Sequence, residues 1–406
     1  MSTVHPPFLQ SIRLDNLLSF GEDSFERAGF EFDKLNILIG ANGTGKSNLI
    51  DAIDLLRSAP DISEGYRKAI RLGGSMKEWM WKGAPDAIGI LDAVLHHPNR
   101  SDTALRHTLE VSKSSGAFQL LNESIENSVV TTGYDQPYVY YNYQRGRPVI
   151  NEQHEHNGYA RRDLKRENVE SNTSILSQYR DPERYPELTY LAEQYDKVKI
   201  YRDWTFGRKA PLRQGTPIET RDDRLEEDFS NLGRFISRMI ATDPRMKRRF
   251  LEALKEVYSD ITDVTVAVGN HTADLYIIER EEWAIQASRL SDGTLRYLSI
   301  LAILLDPTPP PLICLEEPEL GLHSDVHLKL AELLIDASQR TQLVVTTHSH
   351  SLIDALSEHP EYVITVEKRE GQSYLQRLER QTLEVWLEEQ GLGQLWMEGH
   401  LGAKRW

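Results

Sequence analysis

Gly40-Ala41-Asn42-Gly43-Thr44-Gly45-Lys46-Ser47 fits the pattern G-x-x-x-x-G-K-[ST] at every fixed position. The residues before it, Leu35-Asn36-Ile37-Leu38-Ile39, form a short apolar run closed by a glycine, which predicts a buried strand. After it, Leu49, Ile50, Ile53 and Leu56 recur at helical spacing, so the eight residues join a strand to a helix. Glycines at 40, 43 and 45 turn tightly and bring backbone N–H groups close to phosphate oxygens. The positive end of the following helix favours the negative charge gathered there. In that setting Lys46 reaches the β- and γ-phosphates of a nucleotide and the Ser47 hydroxyl ligates Mg²⁺. The candidate phosphate-binding residues are Asn42, Gly43, Gly45, Lys46, Ser47 and Asn48, and the expected ligands are ATP and Mg²⁺.

Outward from this loop, the chain has the length of two or three domains, with 406 residues, 39% hydrophobic and 27% charged. Its longest apolar runs fall far short of the roughly 20 residues that span a bilayer, so no membrane partner is expected. Residues 1–10 lack a basic region followed by an apolar core, so no secretory signal is read. Cys314 is the one cysteine, which excludes an internal disulfide or a Cys-based zinc site and fits a reducing cytoplasm. A net charge of −15 argues against a surface that binds nucleic acid everywhere and leaves room only for a local basic groove.

In chain order, residues 8–20 and 30–39 read as strands, and the helix after the loop stops near Ser58-Ala59-Pro60. Residues 61–83 read as irregular or short helical structure, and 87–95, 104–111 and 117–121 as three antiparallel strands. From 122 to about 224 the composition turns polar around one expected strand at Tyr138-Val139-Tyr140-Tyr141. Helical spacing returns at 225–240 and 244–258, followed by a hairpin around Gly269-Asn270. The pattern predicts an α/β fold in three parts: 1–121 with the phosphate loop and an antiparallel lobe, 122–260 as an inserted helical and irregular lobe, and 261–406 with the remaining motifs.

Those motifs lie in the last third. Leu312-Ile313-Cys314-Leu315 is a buried strand that ends in Glu316-Glu317-Pro318. Two carboxylates at a strand end are ordinarily just solvated. Beside a phosphate loop they divide into Glu316, which holds Mg²⁺ directly or through water, and Glu317, which polarises the attacking water. His348 follows the strand at 342–346 by two residues, where a parallel sheet delivers it to the same edge to donate a hydrogen bond to the γ-phosphate or the water. Leu290-Ser291-Asp292-Gly293 opens a helix, so Ser291 is either an ordinary N-cap or part of an anion site built with the first N–H groups. Cys314 reads as core. His96-His97 and His154-x-His156 read as loop histidines, for want of further ligands at suitable spacing. Two basic clusters remain: Arg145, Arg147, Arg161, Arg162, Lys165 and Arg166 with Tyr143 and Tyr159 interleaved, and Arg245, Lys247, Arg248 and Arg249. Each is either a face paired with neighbouring acids or a contact surface for a phosphate backbone.

The loop Ile-Gly-Ala-Asn-Gly-Thr-Gly-Lys-Ser-Asn near one end, with Leu-Ser-Asp-Gly-Thr, Leu-Glu-Glu-Pro-Glu-Leu-Gly-Leu-His and Thr-Thr-His-Ser near the other, resembles the ABC-type ATPases of the SMC, RecF and OLD group. More narrowly, the chain looks like stand-alone RecF-like AAA ATPases. The resemblance covers about residues 8–58 and 286–367. It implies a P-loop NTPase of the ABC-type head, with a mixed sheet, an antiparallel β lobe and an inserted helical and irregular region. It implies that Ser291 and Gly293 are the signature residues, which bind the γ-phosphate of ATP held by another subunit. Glu316 and Glu317 then match the Walker B acids, with Glu in place of the more usual first Asp, and His348 matches the switch histidine. Glu319-Leu320-Gly321-Leu322-His323 takes the place of the D-loop that crosses a dimer interface. The Q-loop glutamine has no clear counterpart, Gln119 qualifying only if the first antiparallel sheet is long.

The departures narrow the function. The stretch after His348 is short and shows no separate acidic metal cluster, so the Toprim nuclease of OLD proteins is not expected. The heptads and cysteines of SMC arms and hooks are missing too. A transporter subunit fits poorly, because well over two hundred residues separate the phosphate loop from Glu316. The expectation is an ATPase that works as a homodimer or higher homo-oligomer. It acts either on DNA or RNA, in repair or anti-phage defence, or as a scaffold that controls a separate nuclease or toxin effector.

Overall fold

The computed structural model describes residues 6–401, apart from 23, 27, 115, 131–134, 145–146, 155–157, 165–171 and 270. The strands in chain order are β1 (Leu9–Asp15), β2 (Phe30–Glu31), β3 (Leu35–Ile39), β4 (Gly89–Leu95), β5 (Leu105–Ser114), β6 (Ala117–Asn127), β7 (Val139–Gln144), β8 (Arg147–His154), β9 (Gly158–Asp163), β10 (Lys199–Tyr201), β11 (Thr216–Pro217), β12 (Ile261–Val268), β13 (Thr272–Glu279), β14 (Trp283–Gln286), β15 (Leu312–Glu316), β16 (Gln342–Thr346), β17 (Val363–Arg369) and β18 (Gln372–Arg377). They form an eight-stranded antiparallel sheet in the order β2-β1-β4-β5-β6-β7-β8-β9, a six-stranded sheet in the order β10-β15-β16-β3-β17-β18, and a small sheet around β13.

The six-stranded sheet is parallel from β10 to β17, and only β18 turns back as a hairpin. Both its faces are covered, which is why its strands read as unbroken apolar runs with no alternation. Every residue of β3 and β16 is buried. The two faces feed separate cores. Leu35, Ile37, Ile39, Ile313, Leu315, Leu343 and Val345 pack with the helix Asp292–Leu304. Leu38, Leu312, Cys314 and Val344 pack with the helix Lys46–Arg57 and the antiparallel sheet. Gln342 ties the two sheets together. Its side-chain amide accepts from Leu9 N at 2.8 Å and donates to Leu9 O at 2.7 Å, completing a strand-like pairing that β1 would otherwise lack.

The antiparallel sheet departs from the sequence reading. A boundary at 121/122 falls inside β6, and β7, β8 and β9 continue the same sheet to Asp163. The expected inserted lobe therefore begins as an extension of the first one. It then returns to the six-stranded sheet through β10, which pairs with β15. Asn, Gln and Arg in β7 to β9 hide the period-2 pattern, and three residues of β10 are too few to show one. Helices at Leu232–Thr242 and Pro244–Val257 and the β12-β13 hairpin lie where spacing predicts, although Asn270 of its turn lies outside the described residues. Among the described residues, no helix is long and apolar enough to cross a membrane.

The lobe is locked at Glu123, which is fully buried on β6. Its carboxylate accepts from Tyr66 Oη at 2.9 Å, Ser174 Oγ at 2.5 Å and Ile175 N at 3.0 Å, with His107 Nε2 at 3.3 Å. Removing the acceptor strands several buried donors at once. Glu123→Ala is expected to lower stability by about 3 kcal/mol, read as an earlier midpoint in urea. An unchanged midpoint would show that the network contributes nothing.

Candidate functional site

The parallel register brings the motifs to one level. Tyr201 pairs with Leu315, Glu316 with Thr346, and Thr346 with Leu38. The residues that follow leave the sheet together at its C-terminal edge, where ligands bind in open α/β sheets.

The phosphate loop fills the space between β3 and its helix. Gly45 caps that helix with φ +107°, and a Cβ there would lie 2.3 Å from Ser373 Oγ and 2.5 Å from Ser19 Oγ. Both the backbone angle and the space require glycine. Asn42, Gly43 and Ser47 are exposed at the loop, while Lys46 is buried. Lys46 Nζ donates to Gly40 O at 2.9 Å and Ala41 O at 3.0 Å, folding the lysine back on its own loop. Burial lowers its ammonium pKa to about 8, although Glu317 and Glu316 pull the other way.

Glu316 and Glu317 sit across from it. Ser47 Oγ lies 3.4 Å from Glu316 Oε2, and Glu316 Oε1 is buried with no hydrogen-bond partner. Burial raises the Glu316 carboxyl pKa, and Arg202 opposes the rise. Glu317 leaves β15 with φ +47°, in the left-handed region and directly before Pro318. A non-glycine residue there costs about 1–3 kcal/mol, a strain of the kind that collects at working sites. Its N–H still reaches Thr346 O at 3.0 Å. His348 Nε2 stands 3.5 Å from Glu317 Oε1. Burial lowers the imidazole pKa, Lys46 adds to that, and Glu317 opposes it, which favours the neutral ring. Glu319 steadies the turn, accepting from Thr347 Oγ1 and from His348 N.

Ser291 is the N-cap of Asp292–Leu304, its hydroxyl accepting from Thr294 N at 3.1 Å. The capping role is thus present, on an exposed helix start. A Cβ on Gly293 would stand 3.4 Å from Gly321 O, so the start of this helix lies against the Gly321 turn.

Four residues escaped the sequence reading. Arg202, one step past β10 and therefore level with Glu316, donates from Nη1 to Asp51 Oδ1 at 2.7 Å and faces Glu316 Oε1 from Nε at 3.6 Å. Trp204 Nε1 donates to Glu316 O at 2.6 Å. The Arg296 guanidinium lies 5.0 Å over the Trp204 ring and donates to Glu317 O. Arg213 holds the loop before Ser291, donating to Leu290 O at 2.7 Å and pairing with Asp292. The run Tyr-Arg-Asp-Trp, with two aromatic residues around a basic one in a polar stretch, was the signal available. Gln119 is on β6 in the antiparallel sheet, exposed and opposite Ser112.

The remaining candidates lie elsewhere. His96 Nδ1 and His97 Nε2 meet Tyr190 Oη at 2.9 Å and Tyr140 Oη at 3.0 Å. Cys314 is buried in β15, which pushes its thiol pKa up. In the second basic cluster each residue has a carboxylate beside it: Arg245 with Asp243, Lys247 with Asp263, Arg248 with Glu252 and Arg249 with Asp336. In the first, Arg145, Lys165, Arg166 and the side chains of Arg161 and Arg162 lie outside the described residues, as do His156 and the His154 side chain.

A parallel sheet with a phosphate loop, an acidic strand end and an antiparallel side lobe is the fold of a P-loop head of the ABC type, as SMC heads have it. The sequence model of the family described as "AAA domain, putative AbiEii toxin, Type IV TA system" matches residues 35–354, most of the chain and all the motifs above, and the chain belongs to that family. Among solved structures, it resembles an SmcHead bound to the C-winged helix domain of ScpA, with a TM-score of 0.57 and 15% identity over 93% of this chain and 100% of that one. It also resembles the Smc head domain with an extended coiled coil bound to the C-terminal domain of ScpA from Pyrococcus furiosus, with a TM-score of 0.53 and 15% identity over 94% and 99%. At such identities the likeness is one of fold. No curated protein matches the chain.

The position of Lys46 sets a pH dependence. Bound phosphates favour its charged form, so above pH 8 the free protein must take up a proton to bind ATP. Affinity for ATP is expected to be level below about pH 7 and to fall above pH 8 by up to about tenfold per unit. Calorimetry at pH 9 in two buffers of different ionisation enthalpy reads the proton directly. A flat affinity through pH 9.5 would show that the Lys46 ammonium is not lowered toward 8, and loss of ATP binding in Lys46→Ala tests separately whether Lys46 is the binding cation.

Proposed function

We propose that the protein binds and hydrolyses ATP at this edge and uses the bound nucleotide to close two heads on each other. The observation that carries the reading is the convergence of Lys46, Ser47, Glu316, Glu317 and His348 at the end of β3, β15 and β16.

Each residue then has a part. Backbone N–H groups of residues 42–48 and Lys46 hold the phosphates. Ser47 Oγ and the unpartnered Oε1 of Glu316 are hard oxygen donors, and they fit Mg²⁺. That ion, when bound, neutralises charge on the β- and γ-phosphates. Glu317, the more forward of the two acids, accepts the proton of the attacking water as its oxygen bonds to the γ-phosphorus. The bond to the β,γ-bridging oxygen breaks, ADP leaves with the electron pair, and the proton passes on to phosphate. Neutral His348 orients the water or the γ-phosphate by a hydrogen bond. Ser291 and Gly293 close over the phosphates of the other subunit's ATP, so nucleotide acts as the glue of the dimer.

The partner is better read as a protein effector than as nucleic acid. Every residue of the second basic cluster has an acid beside it, and the chain carries a net charge of −15. The family's description, with its toxin and Type IV toxin–antitoxin system, points the same way. Affinity for DNA and RNA at low salt with ATP present is expected to be unmeasurable, and a clear, salt-sensitive affinity would restore the nucleic-acid reading.

Glu317→Gln keeps size and polarity but removes the proton acceptor. ATP is expected to bind while hydrolysis slows by about 100-fold or more, and light scattering is expected to show an ATP-dependent dimer. Adding Ser291→Arg is expected to abolish that dimer. Hydrolysis by Glu317→Gln at the wild-type rate would overturn the catalytic assignment.

A further inference from the structure

The Glu316 edge contains a cation that no motif predicts. Arg202 stands between two carboxylates, on Asp51 through Nη1 at 2.7 Å and facing Glu316 Oε1 from Nε at 3.6 Å. Its remaining nitrogen, Nη2, is buried without a hydrogen-bond partner, and so is Glu316 Oε1. Two opposite charges thus meet at ion-pair distance, and each keeps an unused polar atom in the same cleft beside Ser47. Such a pair is poorly satisfied, since a buried charge that lacks full hydrogen bonding is costly.

We propose that Arg202 is the resident counter-ion of the Glu316 pocket: with no nucleotide bound it neutralises Glu316 and Asp51 and keeps free divalent metal out, and it yields Glu316 only when the metal arrives with nucleotide. This rests on the ATPase reading of the site, but it concerns metal binding without nucleotide.

Three features support it. Register fixes the position, because Tyr201 pairs with Leu315 and so Arg202 arrives level with Glu316 whatever its side chain does. Chemistry suits the task, because a guanidinium stays charged at any physiological pH and spans two carboxylates, as an amide at that position would not. Without the arginine, Asp51, Glu316 and Ser47 would present an uncompensated set of hard oxygen donors, which binds divalent cations. The surroundings of the pair are also held in place, since two residues on Trp204 is bonded to Glu316 O and packs against Arg296 and the Phe229 ring.

The test is metal binding by the whole chain without nucleotide, using Mn²⁺ alone and following free Mn²⁺ by electron paramagnetic resonance. Arg202→Gln is expected to bind Mn²⁺ at least about tenfold more tightly than wild type, since a divalent ion a few ångströms from a unit positive charge is repelled even at the dielectric of water. Arg202→Met keeps the stem and serves if the Gln variant does not fold. Arg202→Lys restores the charge and is expected to bind as weakly as wild type. No tightening in Arg202→Gln or Arg202→Met would overturn the proposal, and so would tightening in Arg202→Lys. Loss of ATP binding in wild type would sink the ATPase reading and leave this titration interpretable, so the two fail separately.

Discussion

The parallel pairing of β3, β15 and β16 is the constraint on which the rest depends. Side chains from three distant parts of the chain act together only because Leu38, Thr346 and Glu316 are hydrogen-bonded at one level. Slipping one strand by a residue would send its side chains to the opposite face and exchange the two cores. The apolar residues that fill those cores therefore set the geometry of the edge, though none of them touches it. Gln342 extends the same control to the antiparallel sheet by holding β1 through both backbone groups of Leu9.

Strain and charge accumulate at that edge. Lys46 folds onto Gly40 and Ala41, Glu317 adopts a backbone angle that favours glycine, and Glu316 keeps an oxygen without a hydrogen bond. These are costs a purely structural strand end would not retain. The surroundings over-determine them: Thr346 holds Glu317, Glu319 holds His348, and Ser373 with Ser19 closes on Gly45.

How much was legible in the sequence follows from how far each residue acts. The phosphate loop and the acidic strand end could be read because their function depends on neighbours in the chain, and β15 and β16 because burial on both faces leaves an unbroken apolar run. Arg202, Trp204, Arg296 and Arg213 were not legible. Each works through a partner on another element, and β10, which places the first two, has only three residues. The boundary at 121/122 failed for a related reason. Composition changes there because the later strands are polar, yet hydrogen bonding does not change, and β6 runs straight through it.

The order of pairing has a consequence for synthesis. β3 carries the phosphate loop near the start of the chain, but both strands that flank it, β16 and β17, come from the last third. On the ribosome β3 emerges and waits, with both edges open and four apolar residues to shield, until roughly three hundred more have been added, some tens of seconds at ordinary rates. A nascent chain in that interval has the complete phosphate loop and no sheet to hold it. The parallel sheet that sets the level of the loop can therefore form only when the last third of the chain arrives.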